Sequence, residues 1–271
     1  MPLETNGRLI EPARLRTLLG AAAGRFDVDS LAECESTNTE LLARAERGAP
    51  SGSVLVADRQ TAGRGSRGRT WLASPEASLT FSLLWRFDGG LERMSGLSLA
   101  VGLAVVEALE ACGATGVRLK WPNDILYGDC KLGGILVEVQ SDPESAQAVI
   151  GIGLNLRRPP DFVAGPQALA PVALEDIVPQ LPERNALLAA LLHALAGVFD
   201  AFADGGFAVL RSRWQTYHAW QERPVNMLRD GKVEVEGACL GADEDGALLV
   251  RTATGLERCL SGDLTLRPGA C

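Results

Sequence analysis

Short apolar runs of strand length dominate the first 160 positions. VLVAD at 54–58 and SLTFSLLW at 78–85 read as strands, the second mostly buried. VRLKW (117–121) reads as a strand ended by Pro122. ILY (125–127), a Gly128-Asp129 turn and GILVEVQ (134–140) read as a hairpin, and AVIGIGLNL (148–156) follows the Asp142-Pro143 turn as a further strand. Two segments carry helical signals instead. Thr37 with Glu40 three positions later is a capping box, with Gly48 as the stop, and Met94 to Ala111 is a long helix rich in small residues, stopped by Gly113. Several strands joined by short turns imply antiparallel pairing with helices packed on one side. That is an α+β class with a mixed or antiparallel central sheet, not repeated βαβ units.

The two ends differ from this middle. Residues 1–30, with LRTLLGAAAG, read as a short helical lead-in ending at Gly24. The Pro- and Ala-rich stretch 159–182 reads as a loop, followed by helices at about 183–203 and 207–219. After Pro224 the chain becomes VNML, KVEVEG, ALLVRT, LERCL and LTLR, five short strands separated by Gly and Asp turns, as in a small β-barrel. The division expected is a lead-in (1–30), a catalytic domain (31–220) and a C-terminal barrel (221–271).

Composition narrows the function classes. At 271 residues and 46% hydrophobic, the chain has apolar material for a core. No unbroken apolar run reaches the ~18 residues of a membrane span. The richest stretches are interrupted by Glu107, Glu110, His193 and Asp200, and the N-terminus lacks the pattern of a signal peptide, so a soluble cytoplasmic protein is expected. Six cysteines (34, 112, 130, 239, 259, 271) form no CxxC pair, and His193 and His218 sit in no ligand pattern. Free thiols are expected, and a zinc site is not. The net charge of −8 fits small anions better than a DNA duplex. Only three of 26 basic residues are lysines (Lys120, Lys131 and Lys232), and the first two fall in the motifs below.

Five motifs carry candidate chemistry. In Gln60-Thr61-Ala62-Gly63-Arg64-Gly65-Ser66-Arg67-Gly68-Arg69-Thr70-Trp71, glycines let backbone amides approach an anion and arginines add bidentate donors. The alternative is a solvated basic loop. The spelling also matches GxGxxG, but a strand follows where that fingerprint needs a helix. Lys120-Trp121-Pro122-Asn123-Asp124 projects Asn123 and Asp124 from a strand end, where Asp124 could hold Mg²⁺, serve as a base, or simply make a turn. Lys131, beside Gly133 and Gly134, can reach into a pocket floor or lie exposed on a hairpin. Gly151 and Gly153 with Asn155 mark either close approach by a ligand or a bulge. Ser36-Thr37-Asn38 is a helix N-cap, and a helix N-terminus also suits a polar ligand group.

In this order, STN, QTAGRGSRGRTW, KWPND, KLGGILVE and GIGLNL resemble the biotin protein ligase family over about residues 31–271, in a short form without an N-terminal DNA-binding domain. The resemblance implies a biotin/lipoate ligase-like catalytic domain and an SH3-like C-terminal barrel. It implies formation of biotinyl-5′-AMP from biotin and MgATP, with release of pyrophosphate. Biotin then passes to a lysine of a carrier domain, with the biotin carboxyl carrier protein of acetyl-CoA carboxylase as the expected partner. Carried over by position, Ser36, Thr37, Asn38, Gln60, Gly63, Arg64, Gly65, Ser66, Lys131, Gly134 and Gly153 would form the biotin site. Arg67, Arg69, Trp71, Lys120, Asn123, Asp124, Lys131, Asn155 and Arg267 would surround ATP. Lys131, Arg67, Arg69 and Asp124 would be catalytic, with Asp124 as acceptor or orienter of the attacking lysine's proton and as a candidate Mg²⁺ ligand. Ser66 departs from the basic residue that many family members carry. With about 30 residues before the catalytic core and an acidic chain, no specific DNA binding is expected. Monomer and homodimer both stay open. The rivals are a lipoate–protein ligase, a non-catalytic biotin or nucleotide sensor, and a dinucleotide-binding oxidoreductase.

Overall fold

The computed structural model describes residues 9–141, 145–158, 169–229, 231–260 and 265–269. The Asp142-Pro143 turn, most of the first half of the 159–182 loop, Leu264 and Cys271 lie outside them.

A seven-stranded sheet carries the catalytic motifs. Its strands are β1 (Asp27–Cys34), β2 (Ser53–Gln60), β3 (Ser78–Asp88), β4 (Val117–Lys120), β5 (Asp124–Tyr127), β6 (Cys130–Ser141) and β7 (Ser145–Asn155), in the order β1-β2-β3-β7-β6-β5-β4. All neighbours pair antiparallel except β1 with β2, which are parallel, so the sheet is mixed. The helices are α1 (Pro12–Leu19), α2 (Thr37–Glu46), α3 (Leu97–Ala111), α4 (Arg184–Gly205) and α5 (Arg211–Tyr217). Strands β8 (Pro224–Arg229), β9 (Lys232–Ala242), β10 (Leu248–Arg251), β11 (Leu256–Cys259) and β12 (Thr265–Pro268) form a second sheet, in the order β11-β10-β9-β8-β12.

Alternation along the strands sorts the faces. Val54, Val56, Leu83 and Ile150 join α1, α3 and α4 in the main core, while Leu55, Leu84 and Val149 meet Leu41 and Ala45 of α2 on the opposite face. The expected one-sided helix layer therefore holds for α1, α3 and α4. Helix α2 is the exception, because it is the crossover between parallel β1 and β2. It covers only part of its face, and the functional cavity occupies the rest.

Four expectations need correction. Thr37 and Glu40 form no capping box: Ser36 is the N-cap residue of α2, without a side-chain cap bond, and the Thr37 hydroxyl donates to Gln60 instead. The lead-in cannot extend to residue 30, because β1 begins at Asp27; its polar sequence hides a strand held by main-chain pairing to β2. The final helix is shorter than 207–219, spanning Arg211–Tyr217. Two segments, Leu91–Ala111 and Arg184–Gly205, are long and apolar enough to cross a membrane by length and composition (mean hydropathy 1.5 and 1.9), since one or two charges do not offset so many Leu, Ala and Val residues. Both contribute extensively to the core, with α3 burying Leu97, Val101, Leu103 and Val105 and α4 burying Leu188, Leu192, Leu195 and Phe199.

α5 and the following turn pack against β4. His218 bridges to Leu119, and Ala219 N donates to the Leu119 carbonyl at 2.8 Å. The His218 ring stacks on Trp214 at 4.8 Å. Burial pushes its imidazole down to about 4. The unfolded chain takes up this proton near pH 6.5 while the fold refuses it, so acid favours unfolding as pH falls from 6.5 towards 4. Wild type should lose about 2 kcal/mol more than His218→Phe between pH 7.5 and 5, from this group alone. Urea titrations of both proteins at the two pH values measure it; equal losses would refute the assignment.

Candidate functional site

The cavity on the α2 face holds about 770 Å³. Its polar end starts at the N-terminus of α2. Gln60 Oε1 accepts from Thr37 N at 2.7 Å and Thr37 Oγ1 at 3.1 Å. The Ser82 hydroxyl lies within hydrogen-bond distance of Thr37 Oγ1 (2.7 Å) and Asn38 Oδ1 (2.5 Å), and its single proton serves one of them at a time. Asn38 Nδ2 donates to Glu138 Oε2 at 2.9 Å. Gly151 is required beneath this network, because a Cβ there would lie 2.3 Å from Asn38 Oδ1. The result is a small polar pocket whose side chains are already oriented by one another.

The other end is built on a buried charge cluster. Strand pairing sets Lys120 opposite Asp124, and Asp124 opposite Gly134. Asp124 Oδ2 accepts from Lys120 Nζ and Oδ1 from Lys131 Nζ, both at 2.5 Å. Lys120 and Asp124 are buried, while a quarter of the Lys131 side chain is exposed to the cavity. Burial alone would raise the Asp124 carboxyl, but the ammonium groups of Lys120 and Lys131 outweigh it and hold the carboxyl well below the usual range. Burial also pulls the Lys120 ammonium below its ordinary value.

Backbone geometry fixes Lys131. Its N–H donates to the Ala170 carbonyl (2.7 Å) and its carbonyl accepts from Val172 N (3.0 Å). Asn155 Nδ2 spans the Lys131 and Val172 carbonyls at 3.2 Å each. Asn123 clamps the next stretch, with its Nδ2 donating to the Ile135 carbonyl at 2.8 Å and its own carbonyl accepting from Ile135 N at 3.0 Å.

The arginine loop forms the rim. Arg64 bonds Thr39 Oγ1 at 3.0 Å and pairs with Glu138, tying the loop to the polar end. Arg69 donates to the Ser66 carbonyl and hydroxyl at 3.1 and 2.8 Å. Trp71 lies on Gly153, where a Cβ would come within 2.4 Å of the indole, and Lys131 Nζ stands 6.0 Å from that ring. From the second sheet, β12 carries Arg267 to the cavity wall, and Thr265 accepts a hydrogen bond from Arg67.

Most of the sequence-derived site residues meet here: Ser36, Thr37, Asn38, Gln60, Arg64, Gly65, Ser66, Arg69, Trp71, Asn123, Asp124, Lys131, Gly134, Gly153, Asn155 and Arg267 all line the cavity. Three do not. Lys120 sits behind Asp124, outside the cavity lining, because its strand partner takes its ammonium inward. Gly63 faces Trp71, whose carbonyl would lie 2.3 Å from a Cβ there. Arg67, at φ 61°, turns towards β12. Asp124 also changes role. Both its oxygens are on lysines and its proton affinity is lowered, so in this structure it holds Lys131 in place. No group of three or more His, Cys, Asp or Glu residues with metal-binding geometry occurs among the described residues. Sequence reasoning missed Ser78, Thr80 and Ser82. Their alternation with Leu79, Phe81 and Leu83 was the available signal.

The fold and the two-ended cavity define a class before any narrower family. Residues 31–155 match the biotin/lipoate A/B protein ligase family, and residues 222–267 match the biotin protein ligase C terminal domain. The bifunctional ligase/repressor BirA of Escherichia coli is 36% identical over 96% of this chain and 80% of its own length. The biotin–[acetyl-CoA-carboxylase] ligase of Paracoccus denitrificans is 36% identical over 83% and 94%. The structure of the Aquifex aeolicus biotin protein ligase with biotin and ATP superposes with a TM-score of 0.76, at 30% identity over 90% of this chain and 99% of that one. The chain belongs to the biotin protein ligase family.

Breaking the charge cluster should be costly. Asp124→Asn leaves one buried and one partly buried ammonium group without a counter-charge and should lower stability by about 3 kcal/mol. Adding Lys120→Met should restore part of that loss, since it removes one of the two. Denaturant titration of wild type, single and double variants checks this, and purely additive losses would refute the shared-carboxylate arrangement.

Proposed function

We propose that the protein is an ATP-dependent biotin–[biotin carboxyl carrier protein] ligase. One observation carries the reading: a single cavity joins an oriented polar pocket to Lys131 and a set of arginines. The ureido group of biotin, with one carbonyl and two N–H groups, suits Thr37, Asn38 and Gln60, which line the cavity and offer both donors and acceptors. The carboxylate then points to Lys131. Arg69 and Arg267 line the same cavity and suit a polyphosphate.

The chemistry follows from charge. A carboxylate oxygen attacks the α-phosphorus, an O–P bond forms, and pyrophosphate leaves with the electrons of the broken P–O bond. Two anions must approach, so fixed cations between them lower the barrier. In the second step an amine nitrogen attacks the acyl carbon, AMP leaves, and the amine proton is lost. Asp124 supports the first step by holding Lys131 in place. Asp124 is the only acidic residue lining the described cavity, and both its oxygens face lysines. A divalent cation such as Mg²⁺ therefore suits entry on the nucleotide, coordinated by phosphates and water.

The part built on the seven-stranded sheet, from β1 at Asp27 to about residue 220, acts as the catalytic unit, and 221–271 as a module that brings Arg267 to it. The acceptor is the biotin carboxyl carrier protein of acetyl-CoA carboxylase, and the setting is cytoplasmic. The acidic net charge argues against sequence-specific DNA binding; a tight gel-shift at moderate salt would overturn this.

ATP–pyrophosphate exchange tests the activity with biotin and lipoate in parallel. Exchange should appear with biotin only, and exchange with neither would favour a sensor. Lys131→Ala should lower it at least 100-fold while leaving the fold intact; full activity would remove Lys131 from the mechanism. At the rim, Ser66→Arg adds a cation where the loop meets the cavity and should slow dissociation of the adenylate. Equal release from both proteins would show that Ser66 does not set retention.

A further inference from the structure

Strand β3 lays three hydroxyls along one face. Ser78, Thr80 and Ser82 alternate with Leu79, Phe81 and Leu83 of the main core; Ser78 and Thr80 line the cavity, and Ser82 lies beneath its polar end against Thr37 and Asn38. Register orders them into rows: Ser82 opposite Gly151, Thr80 opposite Gly153, and Ser78 opposite Asn155, with Gly153 in turn opposite Gly134. Successive rows lie ~7 Å apart, two residues along a strand. The first row is the polar end, where the Ser82 hydroxyl is engaged by Thr37 and Asn38. The middle row runs from Thr80 across two glycines to Gly134, where a Cβ would stand 3.2 Å from Lys131 Nζ.

Thr80 is the anomaly of that row. It is 95% buried and lines the cavity, yet its Oγ1 has no hydrogen-bond partner among the described residues. The indole Nε1 of Trp71, lying on Gly153, is likewise buried without one. Buried polar atoms are almost always paired, and leaving one unpaired is destabilising. Two orphan donors beside one glycine, between a polar pocket and a cationic end, mark where a substrate carries an acceptor.

We propose that Thr80 is a specificity-determining residue whose hydroxyl donates to an acceptor in the middle of the bound acid. This rests on the biotin reading above. In biotin, the group between the ureido ring and the carboxylate chain is the ring thioether, a weak acceptor. A sulfoxide oxygen at that sulfur is a stronger one, so the cavity also takes biotin oxidised at sulfur. Desthiobiotin, which lacks the sulfur, forfeits the contact.

Calorimetric titration of the full chain tests this with biotin, biotin sulfoxide and desthiobiotin. In wild type the sulfur-containing ligands should bind more tightly than desthiobiotin. Thr80→Val should shrink the biotin-over-desthiobiotin preference roughly 3- to 10-fold and weaken sulfoxide binding at least as much, without lowering the melting temperature of the free protein. Thr80→Ser keeps a hydroxyl and should keep the wild-type preference, which holds the test open if valine is poorly accommodated. Biotin binding with an unchanged preference in Thr80→Val, or a preference lost in Thr80→Ser, overturns the Thr80 assignment alone. Failure of wild type to bind biotin overturns the functional reading, and this assignment with it.

Discussion

The site depends on one carboxylate shared by two ammonium groups. Asp124 is buried with Lys120 behind it and Lys131 in front, one on each oxygen. A single buried lysine–aspartate pair would be neutral. Two lysines on one carboxylate leave a net positive charge, and only Lys131 opens to the cavity. The cost of desolvating three charges is offset only by close geometry, and that geometry comes from strand pairing. Lys120 and Asp124 face each other across β4 and β5, while Lys131 is held by main-chain bonds to Ala170 and Val172. Trp220 closes the far side, with Lys120 Nζ 5.8 Å from its ring. The electrostatics of the reaction end are therefore set by backbone before any substrate arrives.

The same sheet serves as core on one face and floor on the other. Toward α3 and α4 it is apolar and tightly packed. Toward α2 it carries Leu55, Leu84 and Val149 under the helix, then changes to hydroxyls and glycines where the helix ends. Gly151 and Gly153 are needed for what rests on them, Asn38 and Trp71 respectively, since a side chain at either would overlap its neighbour. A concave surface thus arises in the middle of the sheet, rimmed by the helix N-terminus and the arginine loop.

The cavity walls were largely legible in the sequence because each motif is contiguous: STN, the arginine loop, KWPND, KLGG and GIGLN each supply residues that line it. What was not legible came from pairing at a distance. Lys120 looked like a nucleotide contact by its place in a motif, yet its partner on β5 turns it inward. Strand β1 was hidden because its edge position rewards main-chain bonding and asks little of its side chains. Glu138, which takes both Asn38 and Arg64, lies outside the glycine-bearing part of its motif, and only the fold shows that it joins loop to pocket. The hydroxyls of β3 were visible as an alternation, but nothing in the sequence said that their face would stay uncovered.

The second sheet completes the site without contributing to its floor. Strand β12 presents Arg267 to the cavity, and two residues earlier Thr265 takes the hydrogen bond from Arg67. Side chains two apart on a strand share a face, so one short strand supplies a cation to the cavity and holds the loop that rims it. The anchoring continues at the other end of the module, where Trp121 Nε1 donates to the Gly246 carbonyl at 2.9 Å and ties the KWPND turn to the loop before β10. Movement of this module would therefore shift Arg267, the arginine loop and the turn bearing Asp124 together. An adenylate intermediate must be shielded from water while a bulky carrier is admitted, and a rim coupled in this way can respond to both demands as a unit.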